Sequence, residues 1–330
     1  MPEKRKNHYV AQFQLAFFTS NGERDGDFYV FDLERKIVRK STPHNEAHKA
    51  NLYTPDAKAL AGAADPAAAQ TQFEDFLAGM ETNVAPVIKR VVETGRLPAD
   101  DKDRAWILYF VAMNIFRTPE FLQQADANAM QIAQQFALFT LRSNEMWKQY
   151  QARRAAGGHP VDDAGRAKLI GLFQKHPRAV TLNKGSILGV IPEAIQLAIP
   201  VLEKRRWRVE RVPQGGGDLV LPNCPVTLTQ RSNVVPMNIR GLLAEDTLML
   251  LPLSPGILLV SIYSRREVGR PTAGAAHANT CALNSLEQRG AVPHKSACVF
   301  ARKPDFPIVA ADGTIRTFRA AFPEFKLVGA

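Results

Sequence analysis

Gly26-Asp27-Phe28-Tyr29-Val30-Phe31-Asp32-Leu33-Glu34-Arg35-Lys36-Ile37-Val38-Arg39 alternates apolar with polar residues on either side of a charged turn. Alternation of that period places one set of side chains on one face of a strand, and two such runs around a turn read as an antiparallel hairpin. Working outward from it, the pattern changes to a helical one. Phe73, Phe76, Leu77, Met80, Val84, Val87, Ile88 and Val91 recur at steps of three and four, with Pro86 in their midst, and predict an amphipathic helix kinked at the proline. Ala99-Asp100-Asp101 supplies an N-cap and an acidic first turn for a second helix, which ends near Arg117-Thr118-Pro119. A third helix is expected from about Pro119 to Arg154, closed by Gly157-Gly158-His159-Pro160, then two more over Asp163 to Lys175 and Leu188 to Lys204.

Beyond Trp207 the character changes again. Short β-prone runs, among them 207–212, 219–221, 226–229, 248–253 and 257–262, are separated by Gly, Pro and Asn, with one helix over Ala273 to Gln288 and a late strand at 297–301. A hairpin, then helices, then strands describes an α+β protein with an N-terminal hairpin, a central helical bundle and a C-terminal mixed or antiparallel sheet. We read 1–330 as one α+β domain, with a hairpin-plus-helices part (1–205) and a strand-rich part (206–330) as its subdivision.

Composition bounds what such a fold does. The chain has 330 residues, 45% of them hydrophobic, enough for a large core, and every apolar run is broken by charge short of a membrane span. The start, Met-Pro-Glu-Lys-Arg-Lys, is basic but is followed by a mixed polar and aromatic segment, so the expected location is the cytoplasm. Three cysteines, Cys224, Cys281 and Cys298, form no CxxC pair, which fits reduced buried thiols and excludes a zinc ribbon or disulfide framework. The net charge of +10 makes nucleic acid or another anionic ligand the natural partner class, with a merely soluble basic surface as the simpler alternative. The basic clusters are Lys4 to Lys6, Arg35 and Lys36 with Arg39 and Lys40, Lys204 to Arg206 with Arg208 and Arg211, and Arg265, Arg266 and Arg270. Neither cofactor nor oligomeric state is written in the composition.

Several constellations carry candidate chemistry. In Asn7-His8-Tyr9-Val10-Ala11-Gln12, His8 and Gln12 share a face in either a helix or a strand, so His8 is a candidate for proton transfer or phosphate contact and Gln12 for positioning. The plainer reading ties the N-terminus to the core through both side chains. Arg117 closes an apolar helix just before Pro119, and its planar fork suits a carboxylate or phosphate; the plainer reading is an ion pair with Glu74, Glu81 or Glu120. His44-Asn45-Glu46-Ala47-His48 departs from the helical HExxH pattern and lies between Pro43 and Pro55, so no metal is assigned to it. Gly215-Gly216-Gly217 lacks the following Lys-Ser/Thr of a phosphate loop and reads as a turn.

The opening segment also resembles the His-Tyr-Val-Pro-Gln-like start of a bacterial family labelled domain of unknown function 4238. Weaker matches follow in order at Asn51-Leu52-Tyr53, Arg117-Thr118-Pro119-Glu120-Phe121, Leu251-Pro252-Leu253-Ser254-Pro255, Asn284 and Val299-Phe300-Ala301. Two departures stand out. Position 11 is Ala where the family usually has Pro, and Leu228 to Asn233 stands where a Thr-Ser-Asp-Asn-Pro-like motif is typical, with Arg231 near the place of its Asp. Ser232 and Asn233, in the departing segment, could present a hydroxyl and an amide to a ligand, or equally form a plain Asx-type turn. The match at Asn284 makes it a candidate for positioning a ligand, with helix-surface hydrogen bonding as the plainer reading, and the resemblance supplies a family without a chemistry. The resulting expectation is a protein that binds or processes a phosphate-bearing, nucleic-acid ligand through His8, Gln12 and Arg117 converging where hairpin meets helices. The alternative is a non-enzymatic interaction or regulatory module, of a stress or defence operon.

Overall fold

The computed structural model describes residues 6–56, 60, 64–176, 184–230, 233, 234, 242, 244, 247–263, 274–289, 297–310 and 312–328. The hairpin is present as β2 (Phe28–Asp32) and β3 (Ile37–Ser41), antiparallel with Phe31 opposite Val38 and Asp32 opposite Ile37. Its charged turn is held by Asp32, whose Oδ1 accepts from the Arg35 amide at 2.9 Å, and by Lys36 at φ +54°, the left-handed residue that returns the chain.

The hairpin is the middle of a larger sheet. A strand from far along the chain, β11 (Cys298–Ala301), pairs antiparallel with β2, and β14 (Lys326–Val328) pairs parallel with β3. With β6 (Leu221–Pro222) the five-stranded order is β14-β3-β2-β11-β6. Phe31 explains the joining, since its ring meets Phe306 at 4.9 Å and Phe318 at 5.2 Å, both edge-on, within a buried cluster that includes Val38, Val299 and Phe325. A second five-stranded sheet, wholly antiparallel, follows the order β5-β10-β9-β7-β8: β5 (Arg206–Arg211), β10 (Ile257–Tyr263), β9 (Thr247–Ser254), β7 (Thr227–Gln230) and β8 (Asn233–Val234). Every residue of β9 and the first five of β10 are buried, which is why their apolar runs carry no alternation. Two small pairs complete the β part: β1 (Lys6–His8) with β4 (His48–Ala50), and β12 (Pro307–Val309) with β13 (Ile315–Thr317).

The described helices are α1 (Gln12–Ala16), α2 (Pro66–Thr94), α3 (Asp101–Phe116), α4 (Pro119–Arg142), α5 (Asn144–Ala156), α6 (Asp163–Lys175), α7 (Lys184–Glu203), α8 (Ala275–Arg289) and α9 (Phe318–Ala321). The α+β class is therefore as the sequence pattern implies. In α2 the helix continues through Pro86, which faces solvent while Val84, Val87 and Ile88 are buried. Asp100 caps α3 by accepting from the Asp103 amide at 3.1 Å. The single helix expected from 119 to 154 is instead two, because Ser143 leaves helical geometry and its hydroxyl accepts from the Met146 amide at 3.3 Å, restarting the helix as α5. After α2 the chain turns at Gly95, at φ +62°, where a Cβ would stand 2.2 Å from the Arg211 guanidinium. The run 215–217 is a turn too, with Gly215 and Gly217 both left-handed.

The chain forms two compact units. One comprises residues 1–53, 71–119 and 191–330 and holds the four described sheets. The other comprises 54–70 and 120–190 and is helical. Its core is centred on buried Trp147, whose Nε1 donates to Asp163 at 2.8 Å while Arg166 lies over the ring at 5.6 Å.

Candidate functional site

The first unit contains a corner made by three short pieces of chain. In β1–β4 the register sets His8 opposite His48 and Asn7 opposite Lys49, and strand alternation sends Asn7 and His8 to opposite sides. Asn7 is buried; its Oδ1 accepts from the Tyr53 amide at 3.2 Å and its Nδ2 donates to Glu74. His8 faces the other way, into a group of imidazoles: His48 stands edge-on at 5.4 Å between ring centroids and His44, in a 3-10 turn over Pro43–Asn45, at 6.5 Å.

The chain then bends at Ala11 (φ −61°, ψ 137°) into α1, and this bend brings Gln12 back to His8 with 3.2 Å between Gln12 Nε2 and His8 Nε2. The two meet across a bend, and neither a continuous helix nor a continuous strand is needed. A φ of −61° is the value a proline ring imposes, so Ala11 keeps the backbone shape that proline would fix. The backbone at His44 and Pro43 favours the protonated ring of His8, though burial outweighs it. With the Gln12 amide nitrogen as donor, His8 Nε2 is the acceptor.

Burial, and after it the neighbouring His48, hold the His8 imidazole down at about 4. His48 is lowered as well, by burial first and then by Lys6, with Glu46 acting in the opposite sense. Both rings are neutral at pH 7. A neutral His8 hydrogen-bonds and orients; it offers no positive charge to a phosphate, and so low a value makes it a weak base. His48, which also lines an open space, is the better placed of the two for proton exchange.

That open space is a cleft of about 160 Å³ lined by Tyr9, Asp32, Arg35, Arg39, Glu46 and His48, among others. Glu46 is buried and accepts from Nη1 and Nη2 of Arg39, which raises the Arg39 pKa, and from the Ser41 hydroxyl at 2.6 Å. Between Glu46 and His48, Ala47 is held at φ +50°, and its carbonyl accepts from the Tyr9 amide at 2.8 Å. A non-glycine residue in that region costs free energy, and here it turns Glu46 and His48 toward the same cleft. Arg35 sits at the rim with its side chain 69% exposed and only a loose contact, 3.8 Å, to Asp32. Cys298 lines the floor, but burial, then Asp32 and Glu46, push its thiol up to about 12, so it is no nucleophile. Among the described residues no group of three or more His, Cys, Asp and Glu is disposed to hold a metal ion.

The other residues singled out in the sequence lie elsewhere. Arg117, the C-cap of α3, is fully buried; its Nη1 donates to Glu81 at 2.6 Å and its carbonyl accepts from the Tyr53 hydroxyl at 2.7 Å. His8 and Gln12 are not among these partners. Asn233 pairs with Gln230 across β7–β8, Asn284 points to solvent on α8, and Ser232 and Arg231 lie outside the described residues, as do Arg265, Arg266 and Arg270. The buried amide of α8 is Asn279, which ties Asp218, Val220 and Pro307 together through backbone hydrogen bonds. His48, Glu46, Arg39 and Asp32 were spelled out in the sequence, but a three-residue strand gives no periodic signal that would bring 48 to 8.

The model of one family, described as protein of unknown function (DUF4238), matches residues 6–272. The chain belongs to this DUF4238 family. Nothing among the curated proteins or the solved structures matches. The DUF4238 span takes in the whole histidine corner, the cleft residues of β2 to β4, and Arg117. It stops before Asn284 and Val299–Ala301, so the likeness read at those positions is not part of it. Among the described residues no helix is long and apolar enough to cross a membrane.

Proposed function

We propose that the protein binds a compact phosphate-bearing ligand at the cleft beside β4 and exchanges a proton with it through His48, with His8 and Gln12 fixing the ring. The observation that carries this reading is that His48 belongs to both structures, standing edge-on to His8 at 5.4 Å while lining the cleft. Arg35, exposed and loosely paired, is the cation available to the phosphate. The distribution of charge favours a compact ligand over a nucleic-acid strand. Lys36, Arg39, Lys40 and Arg208 each have a carboxylate partner, Glu324, Glu46, Asp27 and Glu210 respectively, so the polymer reading rests on the net charge of +10.

The test is calorimetric titration of wild type, His48→Ala and His8→Gln with a nucleoside monophosphate, beside labelled DNA and RNA, with thermal melts of each. Saturable monophosphate binding that His48→Ala removes without lowering the melting temperature is the expected result. Binding of the nucleic acids alone, unaffected by His48→Ala, transfers the function to another surface.

A second reading, a non-enzymatic interaction module, is favoured by α4. Ile132, Phe136 and Phe139 are 70%, 64% and 61% exposed, lie on one helical face, and belong to a stretch, 127–141, without a charged residue. Absence of ligand binding in every arm above, together with concentration-dependent association that Phe136→Glu abolishes, would favour it.

A further inference from the structure

The walls of the cleft beside β4 carry both signs of charge, and the signs do not balance. Three carboxylates, Asp32, Glu34 and Glu46, line it against two guanidiniums, Arg35 and Arg39. His48 is neutral at pH 7 and the Cys298 thiol keeps its proton, so the lining carries one negative charge in excess. Lys6 also acts on His48 but does not line the cleft. Glu46 and Arg39 cancel, since Nη1 and Nη2 of the arginine each meet one oxygen of the carboxylate. What is left for a ligand to meet is Arg35 with Asp32 and Glu34, all from the end of β2 and the turn that follows it.

Asp32 is the decisive member of this group. Its side chain is 7% exposed; Oδ1 accepts from the Arg35 amide at 2.9 Å, while Oδ2 has only the loose approach of Arg35 Nε at 3.8 Å. A buried carboxylate oxygen without a close donor is costly, and this carboxylate borders a cleft that a solute enters. Glu34, two residues on, is exposed at the same cleft. The thiol of Cys298 reads the field at the floor, where Asp32 and Glu46 raise it by more than Arg39 and Arg35 lower it. A phosphate drawn to Arg35 therefore stands beside Asp32 and Glu34, and it is repelled by them unless the ligand also brings them a positive charge.

We infer that the ligand of this cleft is a zwitterion, a phosphate monoester that carries a cationic amine, with its phosphate on Arg35 and its ammonium on Asp32 and Glu34. The inference rests on the phosphate-binding reading of the cleft and names the class of ligand. An ammonium is a compact charge with three donors, so one such group serves both carboxylates at once. A hydroxyl in its place supplies a donor but leaves the excess negative charge standing. A nucleic-acid backbone brings phosphates without a cation beside them, which accords with a compact ligand.

The experiment is calorimetric titration of the full chain with phosphoethanolamine, ethyl phosphate and ethanolamine, for wild type, Asp32→Asn and Glu34→Gln, with a thermal melt of each variant. Wild type should bind phosphoethanolamine about tenfold or more tightly than ethyl phosphate, which has the phosphate and no amine, and ethanolamine least of all. Asp32→Asn, whose amide oxygen still accepts from the Arg35 amide, should narrow that preference, and Glu34→Gln should narrow it to a smaller degree. Ethyl phosphate bound as tightly as phosphoethanolamine overturns the inference and leaves phosphate binding at the cleft standing. Ethanolamine bound as tightly as phosphoethanolamine, or no binding of any of the three, overturns both. A preference unchanged in both variants removes the ammonium from these carboxylates and overturns the inference too. Should Asp32→Asn fail to fold, the wild-type comparison and Glu34→Gln decide in the same way.

Discussion

Two buried arginines in this molecule are handled in opposite ways. Arg205, where α7 gives way to β5, has no carboxylate partner among the described residues, yet every nitrogen is used. Nε donates to the Ser261 hydroxyl at 2.7 Å, Nη1 to the Leu242 carbonyl at 2.7 Å and the Thr247 hydroxyl at 3.2 Å, and Nη2 to the Thr247 carbonyl at 2.8 Å. Burial brings it down to about 10, and its described partners are neutral acceptors that knit β9 to β10. Arg117 has a carboxylate, and among the described residues two of its donors meet no acceptor. Arg205 is fully bonded and ties strands together; Arg117 is only partly bonded, and its contribution rests on one ion pair.

The comparison breaks most visibly by mutation. Arg205→Met strands at least four acceptors in the core between β9 and β10, and denaturant unfolding should show a loss of about 3 kcal/mol or more. Arg117→Met removes one ion pair but also two unmatched donors, and it should cost about 1 kcal/mol or less. Equal losses at the two positions would mean that Arg117 is as structural as Arg205.

Between those two effects lies the pH response of the histidine corner. His8 is held at about 4 when folded and titrates near 6.5 when unfolded. As pH falls below about 6.5 the unfolded chain takes up a proton that the folded chain refuses, so the unfolded state is favoured progressively until about pH 4, by roughly 3 kcal/mol in all. His48, lowered in the same direction, adds to the fall, whereas His8→Gln, which cannot titrate, should flatten the curve over that window. The groups acting on these two rings are Lys6 of β1, His44 and Glu46 of the connecting loop, and each other.

These contrasts also mark what the sequence makes legible. The hairpin was readable because its alternation and its Asp32 to Lys36 turn are local signals, but its place in the middle of a sheet depends on Phe31 meeting Phe306 and Phe318, contacts that no local pattern encodes. The break at Ser143 escaped a reading by periodicity because apolar spacing runs on past it; only the cap reveals it. At the site, the four-residue spacing of His8 and Gln12 was legible and the two do meet. The role of His48 was not, since β1 and β4 are three residues each and their pairing, with a left-handed Ala47 between Glu46 and His48, is a tertiary event. For Arg117 the sequence offered Glu74, Glu81 and Glu120 alike, and among the bonds formed Glu81 meets Arg117 while Asn7 meets Glu74.

The smallest expected effect concerns the bend that makes the corner. Ala11 already sits at φ −61°, so Ala11→Pro should raise stability by about 0.4 to 1 kcal/mol through the unfolded chain, measured by thermal melt, and leave the His8–Gln12 contact intact. A loss of stability would show that the Ala11 amide or the residue before it cannot accommodate the ring.

The account depends most on His8 and His48 being a pair of neutral imidazoles enclosed by β1, β4 and α1. The direct measurement is an NMR titration of the imidazole carbons in the full chain, assigned with His8→Gln and His48→Ala. His8 should stay neutral until about pH 4, with His48 also titrating below its ordinary value. A His8 that titrates near 6.5, insensitive to His48→Ala, would mean the corner is open and its histidines independent, and the site built on them would fall.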